Sequence, residues 1–286
     1  MFAVGGGAEG VYGSVDLRIA RNGAIELAYE LREAAARSDH PPVLAIMGID
    51  LTRRHWNEAF VSGLASERAV VVFDNRGTGD STREGAAISA AAWEADALAV
   101  LDAAGLDRVD LLGYSMGGLI AQRLALHQPR RVRRLLLLSS VIGGPEAINP
   151  APHAFGRLMP ERNLDPVAAR RRNIHAFVGP SFLAEHAHTL EPLIESSAQT
   201  RTSVDVLLQQ LAVLRDDVSA RLSELNLPVR IVHGDADTLV PFGNAEALAR
   251  AMPRAEFLRL DGVGHLPTWE CPQRLLELAT AFYDPD

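Results

Sequence analysis

A serine with glycines two positions to either side, Gly113-Tyr114-Ser115-Met116-Gly117, closes an apolar run and opens a stretch with helical periodicity. A sharp strand-to-helix turn crowds its backbone, and glycines at those positions remove the Cβ atoms that would clash. Such a turn lifts the Ser115 hydroxyl above the sheet edge, where the N–H groups of the following helix point at it. The alternative is a structural turn in which Ser115 caps the helix. As a nucleophile, a serine hydroxyl needs a base to take its proton and a carboxylate to orient that base. Of the nine histidines, His265 stands out. It lies in Asp261-Gly262-Val263-Gly264-His265-Leu266-Pro267, a glycine-flanked loop after an apolar run. His40 sits in a linker, His127 ends a helix, and His153, His175, His186 and His188 fall in a strand-poor region. For the carboxylate the candidates are Asp235, Asp237 and Asp261, each near the end of a strand-like run.

These groups need elements that bring them together. Short apolar runs predict strands at 43–47, 69–74, 109–113, 134–139, 229–232 and 256–260, preceded by a hairpin of 14–20 and 24–31 turning at Asn22-Gly23. Amphipathic stretches predict helices at 57–66, 88–104, 116–127 and 272–282. That alternation predicts a mostly parallel sheet with helices on both faces. From Pro145 to about Leu225 no strand is predicted; 151–180 is rich in Arg and Pro, and 181–225 reads as amphipathic helix. The expected organisation is a sheet core in two parts, 1–144 and 226–286, interrupted by a helical cap at 145–225.

Across nearly its whole length the chain resembles the α/β-hydrolase family. The G-x-S-x-G turn is that family's nucleophile elbow, and Asp74-Asn75-Arg76-Gly77-Thr78-Gly79-Asp80-Ser81 resembles its D-x-R-G-x-G-x-S loop. The resemblance implies an eight-stranded, mostly parallel sheet with a helical cap. It makes Asp74 and Arg76 structural, as a buried-edge ion pair and turn. The pattern H-G-x-x-D-x-x-x-P, here His233 to Pro241, implies Asp237 as the acid and leaves Asp235 to bind turn amides. Where some members carry the acid after the strand that follows the elbow, this chain reads Ser139-Ser140-Val141. G-x-G-H, followed by Glu270 and Pro272, points again to His265. Two backbone donors are expected for the oxyanion, Met116 N–H and Ile49 N–H, with Gly48 as the alternative to Ile49. Most members read His-Gly before the second donor; Met47-Gly48-Ile49-Asp50 stands here. With Trp56, Phe60 and the Asp-Asn-Arg-Gly loop, that variant resembles a subgroup including methyl esterases of the aclacinomycin methylesterase type.

Composition narrows the partners. The 286 residues include 28 basic and 36 acidic ones, a net charge of −8, which argues against a general nucleic-acid binder. No residue is lysine, so a Schiff-base lysine, a Ser-Lys dyad and a P-loop lysine are all excluded. A single cysteine, Cys271, excludes an internal disulfide and a cysteine-based zinc site. Residues 1–13 lack the pattern of a signal peptide, and no stretch is long and apolar enough to insert in a membrane. The expectation is a cytoplasmic serine esterase that needs no cofactor or metal and acts on a small, largely apolar ester or lactone. The resemblance leaves other uses of the same groups: carbon–carbon bond hydrolysis, cofactor-free perhydrolysis, or a non-catalytic receptor. Cap residues Phe155, Leu158, Met159, Phe177, Phe182, Leu183, Leu207, Leu208 and Leu211 divide between core and pocket, and Trp56 and Trp269 either wall the pocket or fill the core. Arg170-Arg171-Arg172 is expected to be a solvated helix face, with an anion anchor as its alternative. A homodimer through the cap is a further expectation.

Overall fold

Runs such as Val-Val-Val-Phe have no polar face, so they are stable as strands only where both faces of a sheet are covered. The computed structural model describes residues 16–34, 38–83, 87–159, 164–200 and 202–284. The reading of residues 1–13 and the first two positions of the 14–20 strand lie outside them. Among the described residues the apolar runs form one sheet. Its strands are β1 (Leu17–Asn22), β2 (Ile25–Arg32), β3 (Val43–Ile46), β4 (Val70–Phe73), β5 (Val109–Tyr114), β6 (Val132–Leu138), β7 (Val229–Gly234) and β8 (Glu256–Leu260). Their order is β1-β2-β4-β3-β5-β6-β7-β8, with β2 antiparallel to both neighbours and β3 to β8 mutually parallel.

The hairpin turns one residue later than predicted. Asn22 pairs with Ile25, so Gly23 and Ala24 are the central pair, and only Gly23 has a positive φ, of 61°. A turn with glycine at its first central position needs no left-handed Asn. Asn22 instead ends β1 and donates its amide to Asp96 Oδ1 at 2.9 Å.

Alternate strand residues feed two apolar clusters. On one face Leu44, Ile46, Leu135 and Leu137 pack under α2 (Ala90–Ala103), α3 (Met116–His127) and α9 (Gly243–Ala251). On the other, Val43, Ala45, Leu136 and Leu138 pack under α1 (Glu58–Ala65) and α11 (Pro272–Tyr283). Between β6 and β7 run α4 (Pro152–Leu158), α5 (Pro166–Phe177), α6 (Pro180–His186), α7 (Glu191–Gln199) and α8 (Val204–Val213). The stretch read as amphipathic from 181 to 225 is thus several helices, and the Arg- and Pro-rich stretch before it holds two more. Proline explains the partition: each of α4 to α7 has one in its first turn, where the missing N–H costs no bond, and none tolerates one in its interior. Ile174 and Ile194 extend one apolar cluster and Leu207 and Val213 the other, so the helical segment is packed onto the sheet domain. A short α10 (Pro267–Glu270) precedes α11. Among the described residues no helix is long and apolar enough to cross a membrane.

Asp74 and Arg76 are both buried and both ion-paired, but not to each other. Asp74 binds the Arg53 guanidinium, accepts the Arg53 N–H at 2.7 Å and the Asp80 N–H at 2.8 Å. Arg76 grips both carboxylate oxygens of Asp96 on α2 at 2.6 Å each. Two residues apart on a turning loop, their side chains diverge, and each finds its partner on a different element. Burial pushes the Asp74 carboxyl above its ordinary range against the pull of Arg53. Asp74→Ala is expected to lower stability by about 3 kcal/mol, the lower part of the range for a broken buried pair, because Glu30 and Asp80 still face Arg53. Denaturant midpoints at neutral pH measure this.

Candidate active site

Every predicted site residue sits just beyond the C-terminal end of a parallel strand. Ser115 follows β5, Ile49 follows β3, Asp237 follows β7 and His265 follows β8. Parallel strands end on one edge, so four distant segments of the chain meet there. The β5–α3 turn is strained: Ser115 has φ 55° and ψ −124°. A Cβ on Gly113 would lie 2.5 Å from Gly118 Cα, and one on Gly117 would lie 2.7 Å from Met47 O. Both glycines are therefore required for the close strand–helix approach. Ser115 does not cap α3 through its side chain. Its Oγ lies 3.1 Å from His265 Nε2, and His265 Nδ1 lies 2.7 Å from Asp237 Oδ2.

The carboxylate is tied on both oxygens. Asp237 Oδ1 accepts the Leu239 and Val240 N–H groups at 2.9 and 2.8 Å, and Oδ2 faces His265 and, at 3.3 Å, His233 Nε2. Burial pushes this carboxyl up, but the imidazoles of His265 and His233 outweigh it and hold Asp237 below the usual carboxylate range. An ionised Asp237 can only accept, so His265 Nδ1 carries the hydrogen and Nε2 is left free to accept the Ser115 proton. Asp235 and Asp261 do not reach the imidazole: Asp235 Oδ1 accepts the Gly262 N–H at 2.6 Å, and Asp261 pairs with Arg259. The turn amides are thus bound by Asp237 itself, while Asp235 ties the β7 loop to the His265 loop. Glu270 stiffens that loop from below, accepting the Gly264, Leu266 and Gly179 N–H groups at 2.8, 3.1 and 2.7 Å. Burial pushes its carboxyl above the ordinary value. Tyr114 donates its hydroxyl to His265 O at 2.8 Å.

Residues 46–278 match the model of the alpha/beta hydrolase family. The chain belongs to that family. Among curated relatives it is 30% identical over 246 residues to "Putative carbamate hydrolase RutD" of Agrobacterium fabrum, covering 80% of this chain and 87% of that one. It is 31% identical over 176 residues to 2-hydroxy-6-oxononadienedioate/2-hydroxy-6-oxononatrienedioate hydrolase 1 of Dechloromonas aromatica, covering 60% of each. A solved structure of Est816, described as an N-acyl homoserine lactone degrading enzyme, superposes with a TM-score of 0.76 at 25% identity, covering 93% of this chain and all of that one.

The cavity over Ser115 lies between the sheet domain and the helical segment. Two chambers share Ser115, Ile49, Leu158 and Leu239 as walls. Phe177 lines the first, Phe155 and Leu211 the second. Phe182 and Leu183 pack on one apolar cluster and Leu207 belongs to the other, whereas Leu208 is exposed. Trp56 is core, its ring tilted against those of Phe60 and Tyr114, and Trp269 donates its indole N–H to His55 O; neither lines either chamber. Of the residues expected from the sequence as oxyanion donors, Met116 opens α3 and lines the second chamber, Ile49 lines both chambers, and Gly48 lines the first.

Arg170 departs from the expected solvated face. It is 8% exposed, lines the first chamber and pairs with Asp50 Oδ2 at 2.6 Å. Arg171 does pair at the surface, with Glu191, and Arg172 donates to Asn173 Oδ1 at 3.1 Å. The signal was available, since Arg170, Asn173, Ile174 and Phe177 share the buried face of α5 at i, i+3, i+4 and i+7. His233 carried a similar signal, four residues before Asp237. His55 had no recognisable spacing; it is buried under the helical segment, its Nδ1 accepting the Thr52 N–H at 2.8 Å. Burial, then the nearby Arg170, push its pKa down to about 3. Between its ordinary 6.5 and about 3, the unfolded chain therefore holds a proton at His55 that the folded chain lacks. Stability is lost as pH falls through that window, and the loss reaches several kcal/mol at its lower end. Urea midpoints of His55→Gln against pH should fall less steeply from pH 6.5 to 4 than those of the wild type; parallel curves would exclude a neutral buried imidazole.

Proposed function

We propose that the protein hydrolyses a carboxylic ester of a small, largely apolar substrate through an acyl-enzyme on Ser115. The observation that carries this reading is the unbroken path Ser115 Oγ–His265 Nε2 at 3.1 Å and His265 Nδ1–Asp237 Oδ2 at 2.7 Å, opening on an apolar cavity. His265 takes the hydroxyl proton as Ser115 Oγ bonds to the carbonyl carbon. Asp237 holds the imidazole and stabilises its charged form. The negative charge on the former carbonyl oxygen falls to the Ile49 and Met116 N–H groups, each donor worth about 3 kcal/mol in comparable sites. As the tetrahedral adduct collapses, His265 Nε2–H protonates the departing alkoxide, which leaves as the alcohol. Water then gives a proton to His265 and adds its oxygen to the acyl carbon. Collapse of that second adduct releases the acid and returns the proton to Ser115. Two backbone donors and a depressed, ionised carboxylate supply every charge the scheme requires, from residues at the strand ends alone.

A lactone is an ester closed on itself, and the likeness to Est816 favours it as a second reading of the same groups. The relatives named for carbamate and for dienedioate hydrolysis define further arms of the test. A fluorophosphonate is expected to label the wild type at Ser115 and to leave Ser115→Ala unlabelled; an unreactive wild type ends the scheme. Initial rates on p-nitrophenyl esters, lactones, carbamates and dienone acids then sort the substrates, with esters or lactones expected to lead. Asp237, held below the usual carboxylate range, stays ionised at neutral pH and so keeps the imidazole of His265 oriented toward Ser115.

A further inference from the structure

Asp50 is a buried carboxylate one residue beyond Ile49, and its backbone lies in the left-handed region at φ 55°. An L-residue stays in that region only where its surroundings hold it. A glycine would need no such hold; an aspartate brings a carboxylate that can be gripped. Among the described residues its hydrogen-bond and ion-pair partners come from the helical segment. Asp50 Oδ2 takes Arg170 Nη1 of α5 at 2.6 Å, and Oδ1 takes both the N–H of Thr202, at 3.1 Å, and the Thr202 hydroxyl. The Asp50 N–H donates to Gln210 Oε1 of α8 at 3.1 Å. Arg170 is itself fixed, its Nε donating to Ser197 O at 3.2 Å. On the other side of Ile49, Gly48 is pressed on the nucleophile: a Cβ there would lie 2.9 Å from Ser115 Cβ. The Ile49 peptide is therefore suspended between two anchors, Gly48 against Ser115 and Asp50 against the helical segment. With both neighbours fixed, the direction of its N–H is fixed as well.

We propose that Asp50 is a positioning residue for the oxyanion-binding N–H of Ile49, and that Arg170, Thr202 and Gln210 of the helical segment hold it there. The inference rests on the serine-hydrolase reading above. It makes the helical segment part of the catalytic geometry as well as a cover: displacing it releases Asp50 and with it one of the two oxyanion donors. A donor of this kind contributes 10²- to 10³-fold to kcat when removed outright, so its misalignment is expected to cost a sizeable part of that.

The test uses the full chain and p-nitrophenyl esters, with rates normalised to sites titrated by a fluorophosphonate, so that misfolded protein does not count. Asp50→Asn keeps the shape and loses the charge; Arg170→Met keeps the bulk and loses the pair; Thr202→Val removes one hydroxyl donor and is the mild variant should the others fail to fold. Expected are a 10- to 100-fold fall in kcat for the first two, KM within about threefold, and a severalfold fall for the third. An alkylboronic acid forms a tetrahedral anion on Ser115 that occupies the same donors, so its Ki is expected to rise in proportion to the loss in kcat. Asp50→Asn with Arg170→Met is expected to be no worse than the poorer single variant, since the two act as a unit. Unchanged kcat per titrated site, an effect on KM alone, or a boronate Ki that does not follow kcat would each overturn the assignment of Asp50. A wild type that neither labels nor turns over esters would remove the hydrolase reading and this one with it, which separates the two failures.

Discussion

A carboxylate shut away from water is held ionised only by donors placed around it, and Asp237 is that carboxylate here, its side chain fully buried. Two amides of its own turn and two imidazoles surround it. The backbone of the 237–240 turn must wind back on itself to supply the amides, and His233 must lie on the strand leading into it. His265 must arrive from another strand with its Nδ1 hydrogen directed inward. That last demand explains the tight control of the His265 loop, pinned by Glu270 and by its own N–H on Phe177 O at 2.6 Å. Once the charge is set, the tautomer of His265 is set, and the free face of its ring turns to Ser115.

The sheet makes this assembly possible because its parallel strands end on one edge. The left-handed Ser115, the left-handed Asp50 and the 237–240 turn all lie along that edge. Backbone in such conformations is costly, and it persists where the surroundings leave no cheaper arrangement. At Ser115 the restraint is steric, from glycines that let α3 press on β3 and β5. At Asp50 it is electrostatic and comes from across the cavity. The helical segment thereby contributes walls to the cavity and order to the loop beneath it.

Local chemistry made much of the fold legible. Strands without a polar face and Gly113 and Gly117 around Ser115 follow rules that act over a few residues. The family pattern around His233 and Asp237 narrowed three aspartates to one, and the structure places that one beside His265. The placement of Asp235, Asp261, Asp74 and Arg76 was less legible, because each has several partners within sequence reach and only the path of the loops chooses among them. Arg170 was misread by composition: three arginines in a row look solvated, yet a helix sends them in different directions, and the first points inward.

The places of the strands along the chain, the elbow and the loop histidine were determined by the sequence alone, since steric and hydrogen-bonding preferences of neighbouring residues decide them. The pairing of Asp50 with Arg170, the neutral His55 beneath it and the two-chambered cavity were decided only by tertiary structure. Their partners are far apart in the chain, and no local preference registers how a helical segment settles onto a sheet edge. Burial there turns ordinary surface residue types into paired, oriented charges.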